Sequence, residues 1–129
     1  MESFPSDPRI WGPGVWFNIH TLALHQTRDY FIKYIRFVIE KLPCGECSNH
    51  AISYVEQNPP ENYVGIKNDD GEDISMFKWT WIFHNAVNTR LGKKYIDYDT
   101  AINMYDDSVV CESSCTDNNS YLSIPNFTN

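Results

Sequence analysis

Apolar residues recur along this chain at helical spacing almost everywhere. In "GVWFNIHTLALHQ", residues 14–26, Val15, Trp16, Ile19, Leu22 and Ala23 share one face, with Trp16 and His20 one turn apart. "DYFIKYIRFVIEKL" follows with a stripe of Phe31, Tyr34, Ile35, Val38 and Leu42, and Asp29 is placed to cap it. Pro43 ends this second helix, because the residue before a proline is pushed out of the α region. A third helix is predicted from about Cys44, carrying Cys47, Ala51, Tyr54 and Val55 to the stop at Asn58-Pro59-Pro60. "ENYVGIKNDDGED", residues 61–73, reads as a polar, turn-forming loop. A long helix from Ile74 to Leu91 ends on Gly92, and Asp97 or Asp99 caps a short fifth helix ending near Tyr105 or Asp106. Strand signals are weak and repeats are absent. The pattern predicts an all-α protein, a small helical bundle in one domain over residues 1–106, with 107–129 as a loose tail.

Composition narrows the function classes. Ten basic against seventeen acidic residues give a formal charge of −7, and the nearest approach to a basic cluster is Arg90, Lys93 and Lys94, so no nucleic-acid partner is expected. No run of about 18 apolar residues is present to span a membrane. "MESFPSDPRIW" has neither the basic start nor the apolar stretch of a signal peptide, so the expectation is a cytoplasmic protein. The sequons at Asn118 and Asn126 matter only in a secreted chain, and "NDDGED" lacks the ligand spacing of a calcium loop.

Cysteine carries the chemistry. Cys44 and Cys47, in "LPCGECSNH", lie three apart at the predicted start of a helix, which brings both sulfurs to one face within disulfide reach. The positive helix end favours thiolate by about 0.3–1 kcal/mol, a bias rather than full activation. Three readings stand at this point: a redox pair, half of a zinc site completed by Cys111 and Cys115 of "CESSC", or two inert buried thiols. A thioredoxin-like reductase would need a preceding strand and a βαβ pattern, which the sequence lacks. The second constellation is "WIFHNAVNTRLGKK", residues 81–94, where His84 and Asn88 share a helix face beside Asn85 and ahead of Arg90, Lys93 and Lys94. Amides and an imidazole among Trp81, Phe83 and Val87 suit a slot for a flat, polar-edged ligand with cations for phosphate; a core histidine satisfied within the protein is the plainer reading.

Taken together and in order, "WGPGVWFNIHTLAL", "LPCGECSNH" and "FHNAVNTRLGKK" resemble the Erv/ALR family of FAD-dependent sulfhydryl oxidases, over roughly residues 9 to 105. Within that family the chain resembles the short stand-alone members of large cytoplasmic DNA viruses. The resemblance implies a four-helix bundle plus a short fifth helix around FAD, a protein dithiol or thioredoxin-like substrate, dioxygen as acceptor with hydrogen peroxide as product, and a homodimer formed through the first helices. It also implies site residues. Cys47 matches the flavin-proximal cysteine and Cys44 the distal one that meets incoming thiols. Trp16 and His20 match first-helix residues against the cofactor, with Gly12 and Pro13 at the entrance, and His50 and Tyr54 match third-helix contacts. His84, Asn85, Val87, Asn88, Leu91 and Lys93 match the segment around adenine, ribose and phosphate, with Lys94 and Tyr95 as further contacts. Many cellular members join the fourth and fifth helices by a second disulfide at positions matching Trp81 and Tyr98. Neither is cysteine here, so packing must hold the fifth helix instead. The pair Cys111 and Cys115 lies beyond the matched core, as an electron shuttle, a local staple or spare thiols. The competing class is a zinc-binding structural or interaction module built on all four cysteines.

Overall fold

The computed structural model describes residues 6–105. Five α-helices follow in chain order: α1 (Pro8–His25), α2 (Arg28–Glu40), α3 (Gly45–Gln57), α4 (Ser75–Arg90) and α5 (Tyr98–Tyr105). The all-α expectation holds: among the described residues extended pairing is limited to one isolated bridge, Lys67 to Asp73. The boundary between residues 106 and 107, and the tail with Cys111 and Cys115, lie outside the described residues.

Two helix starts differ from the sequence reading. Helix α1 begins at Pro8 rather than near Gly14, because the Asp7 carboxylate accepts from the Arg9 N–H and a proline follows at the first helical position. That strong start carries the helix through Gly12, Pro13 and Gly14. The cap of α2 is Thr27, whose hydroxyl accepts from the Tyr30 N–H at 3.2 Å, and Asp29 instead sits in the first turn. Helix α2 ends at Glu40, leaving Leu42 of the predicted stripe just past it. Asp97 caps α5 by accepting from the Thr100 N–H at 2.8 Å, and that bond holds its carboxyl below the usual range.

Helix α1 packs against α4 and α2 against α3, around Ile19, Phe31, Ile35, Phe77, Trp79 and Phe83. Two polar ties fix the pairs. The Ser48 hydroxyl, buried at the start of α3, donates to the Ile39 carbonyl at the end of α2. The Trp79 indole of α4 donates to the Asn58 carbonyl that closes α3, at 2.8 Å. The loop after α3 begins with a 3-10 turn at Pro60–Asn62. Farther along, the Asn68 side chain accepts from the N–H groups of Asp70 and Glu72, with Gly71 at φ 82°. "NDDGED" is thus a self-bonded turn.

Packing does hold α5. Trp81 and Tyr98 meet edge to face, centroids 5.5 Å apart and planes at 90°. The Lys78 ammonium lies over both rings, at 5.3 and 4.9 Å. The Trp81 indole also donates to the Ile96 carbonyl at 2.7 Å. Replacing Trp81 with alanine removes its contacts with Tyr98, Lys78 and the Ile96 carbonyl at once and is expected to destabilise the fold by about 2–4 kcal/mol in urea unfolding. A loss under about 1 kcal/mol would mean that α5 is held by something else.

Candidate functional site

The cysteine pair sits where α3 begins. Cys44 is the N-cap, Cys47 lies in the first turn, and the two are joined as a disulfide with Cα atoms 5.2 Å apart. The Cys44 sulfur accepts from the Cys47 N–H at 3.1 Å, so it occupies the place a serine or aspartate oxygen usually takes at a helix start. Both cysteines are half-buried, open enough for an incoming thiol. The Ser48 tie to α2 fixes the turn that carries them.

Both cysteines open onto one cavity of about 590 Å³ between α1, α3 and α4. Its walls are apolar and aromatic. Trp16 from α1 meets Phe83 edge to face at 5.3 Å, and Tyr54 from α3 stacks on Phe83 at 4.9 Å. Desolvation, aided by neighbouring Tyr63, pushes the Tyr54 phenol up to about 12, so it stays protonated. At the far end the C-terminus of α4 folds back. Gly92, at φ 72°, allows its own N–H to reach the Thr89 carbonyl and the Lys93 N–H to reach Asn88 at 2.7 Å. This turn sets a cation beside a buried amide at the cavity wall.

Among the described residues, two buried side-chain polar atoms have no hydrogen-bond partner: the Trp11 indole nitrogen and the Asn88 amide oxygen. Both residues line this cavity. An unmade buried bond costs about 1–3 kcal/mol, so one orphan donor and one orphan acceptor on residues that line the same cavity suit a polar-edged molecule there.

A smaller hollow of about 50 Å³ shares Asn88 and Lys93 with the first and is bounded by His20, His84, Asn85 and Lys94. The His84 ring lies flat on Trp16, centroids 3.7 Å apart and planes at 3°. His20 Nε2 is 2.8 Å from His84 Nδ1. Burial, and after it Lys93, hold His84 down at about 3; burial, and after it His84, hold His20 well below the ordinary histidine range. Both rings are therefore neutral at neutral pH.

Of the residues singled out from sequence, Gly12, Trp16, Cys44, Cys47, His50, Tyr54, Val87, Asn88, Leu91 and Lys93 line the larger cavity. His20, His84, Asn85 and Lys94 line the smaller one. Pro13 and Tyr95 border neither; Tyr95 is exposed and meets Trp81 edge-on at 6.1 Å. Asn85 has its carboxamide engaged at both ends, with the Ile96 carbonyl at 2.9 Å and the Ile96 N–H at 3.0 Å, and so fastens the strap between α4 and α5. Sequence reasoning missed Trp11, Ile39, Leu42 and Arg90 as lining residues. Trp11 escaped because its helix was started too late; Leu42 belongs to the stripe predicted for the second helix, and Ile39 is not singled out there. Arg90 was noted only as one of three nearby cations.

An FAD-linked sulfhydryl oxidase of African swine fever virus is 35% identical over 107 residues, covering 78% of this chain and 83% of that protein. The FAD-linked sulfhydryl oxidase ERV2 of Saccharomyces cerevisiae is 28% identical over 102 residues, covering 74% of this chain and 48% of that one. The crystal structure of the yeast Erv1 core matches the fold with a TM-score of 0.62 at 21% identity, over 83% of this chain and 90% of that one. The model of the Erv1 / Alr family matches residues 13–107, and the chain belongs to that family.

Proposed function

We propose that the protein is an FAD-dependent thiol oxidase that makes disulfides in protein substrates and passes the electrons to dioxygen. The observation that carries this reading is the sharing of one cavity by the Cys44–Cys47 disulfide and by Trp11 and Asn88, the residues with the two orphaned polar atoms. The residues fit FAD. Trp16, Tyr54 and Phe83 offer flat faces to a ring system, the Trp11 N–H and the Asn88 carbonyl offer a donor and an acceptor to its polar edges, and Arg90 and Lys93 offer charge to phosphates. The names of the viral and yeast relatives point to the same cofactor.

On this reading a substrate thiolate attacks the Cys44 sulfur, the bond to Cys47 breaks, and Cys47 leaves as a thiolate. A second substrate thiolate attacks its partner sulfur in the mixed disulfide and displaces Cys44. The substrate leaves as a disulfide, and two electrons remain on the Cys44–Cys47 dithiol. The N–H groups of the first turn of α3 support negative charge at both sulfurs, Cys44 through the direct bond from Cys47 N–H. FAD, when bound, supplies the two-electron acceptor that restores the disulfide and delivers the electrons to dioxygen as hydrogen peroxide. The apolar walls keep water from the pair's inner side.

Helix α1 also leaves Ile10 and Phe17 exposed, at 61% and 44%, seven residues apart on one face. A homodimer through first helices would cover them.

Purified protein is expected to be yellow, to hold about one FAD per chain without a covalent bond, and to oxidise dithiothreitol with uptake of dioxygen. Folded protein that takes up no FAD from solution would sink the reading. Stoichiometric zinc in place of flavin would favour the zinc module.

A further inference from the structure

A buried polar chain runs beside the cavity, and the exchange chemistry at the cysteines makes no use of it. It starts at Thr80 on α4, which is fully buried. The Thr80 hydroxyl lies 2.7 Å from the Phe77 carbonyl oxygen. A carbonyl has no proton to give, so the hydroxyl's single proton must lie between these two oxygens. Toward His20 Nδ1, at 2.9 Å, the same hydroxyl can then only accept, which places the His20 proton on Nδ1. His20 Nε2 is left as a lone pair. The contact of 2.8 Å from it to His84 Nδ1 then requires the proton to sit on His84 Nδ1. Since burial keeps both rings neutral, His84 Nε2 carries none. One direction of donation therefore runs through the whole chain, from His84 to His20 to Thr80 to the Phe77 carbonyl.

The end of this chain matters because the His84 ring is stacked on Trp16, and Trp16 forms the cavity wall. We propose that Thr80 is a positioning residue. Its hydroxyl sets the tautomers of His20 and His84, and through them the hold of the His84–Trp16 stack that receives the cofactor. The second half of this proposal rests on the FAD reading; the first half does not. Neither Thr80 nor its partner carbonyl is singled out by the sequence.

The test uses the full chain with ring nitrogen-15 labelled histidine, and long-range proton–nitrogen correlation spectra at neutral pH before and after FAD is added. In the native protein His20 and His84 are both expected as Nδ1–H tautomers. Thr80→Val keeps the shape and removes the acceptor. It is expected to turn His20 to the Nε2–H form, to turn His84 in step, and to raise the FAD dissociation constant about tenfold, the size of one net hydrogen bond. Thr80→Ser is expected to restore both tautomers and to bring the affinity back within about twofold. Nε2–H tautomers in the native protein overturn the proposal without any variant being needed, so a poorly folded Thr80→Val protein does not shelter it. Unchanged tautomers in Thr80→Val overturn it equally, as does a tautomer switch with unchanged FAD affinity. Nδ1–H tautomers in a native protein that never binds FAD would uphold the proton order and strike down the cofactor reading alone.

Discussion

Serine at either Cys44 or Cys47 abolishes oxidation of a small dithiol, with turnover falling by more than about a thousandfold, as expected when a covalent participant is removed. The two variants are expected to fail in different ways. Without Cys44 no disulfide can form, yet Cys47 stays in the first turn of α3, facing the cavity where the resemblance puts the flavin ring. Its thiolate beside an electron-poor ring should give a broad absorbance at long wavelength. Without Cys47 the remaining sulfur is that of Cys44, the N-cap, which takes a backbone N–H of the helix start and is assigned to meet incoming substrate. That variant should show no such band. Spectra of both FAD-loaded variants, taken through a pH titration, decide the matter. A band in Cys47→Ser and none in Cys44→Ser reverses the proximal and distal assignments, and substantial turnover in either variant removes the exchange mechanism.

Acid is expected to undo the fold from the inside. His20 and His84 are buried and neutral, with their folded-state affinities for protons depressed by burial, that of His84 to about 3. In the unfolded chain the same rings take up protons near pH 6.5. Between these limits the unfolded state binds more protons, so stability is complete above about 6.5 and declines as pH falls. Each ring contributes up to about 1.4 kcal/mol per pH unit over its window. His84 alone therefore accounts for a loss of about 3 kcal/mol between pH 6.5 and 4, and His20 adds to it in the same direction. Against the total of about 5–15 kcal/mol usual for a domain, that is a large share. The carboxylates of Asp7, Asp73 and Asp97, each accepting a backbone N–H at a helix start, act at lower pH, since each starts from an ordinary value of 3.8 and is lowered by its hydrogen bonds. Urea unfolding of the flavin-free protein at a series of pH values would show the decline, and a double variant, His20→Asn with His84→Gln, should flatten it. A native chain equally stable at pH 6.5 and pH 4 contradicts the assignment of neutral buried rings.

Much of this molecule is readable from its residues, and the reasons are local. The stripe of Phe31 and Ile35, the stop before Pro59 and the glycine after Leu91 each state an element through its own spacing or backbone preference. The cysteine pair was legible because two cysteines three apart at a helix start share a face, within reach of a disulfide. Where the reading failed, the deciding interaction was one that composition hides. Glycine and proline at 12–14 argue against a helix, yet Asp7 and Pro8 start one strongly enough to run through them. The same error concealed Trp11, whose unpaired indole is one of the two clearest marks of the site. Asn85 illustrates the opposite limit. A polar residue beside a ligand motif suggests a ligand contact, and only the folded chain reveals that the Ile96 backbone engages both ends of its amide.

The join between α4 and α5 has one further consequence. It is made of two ring faces, an ammonium group and an indole hydrogen bond, none of which a thiol can break. Among the described residues the sole covalent crosslink is Cys44–Cys47 itself. A thiol-rich solution that opens this pair therefore leaves the contacts that anchor the fifth helix in place. On the proposed reading, reduction of the pair at each turnover then leaves the join between α4 and α5 intact, even amid excess reductant.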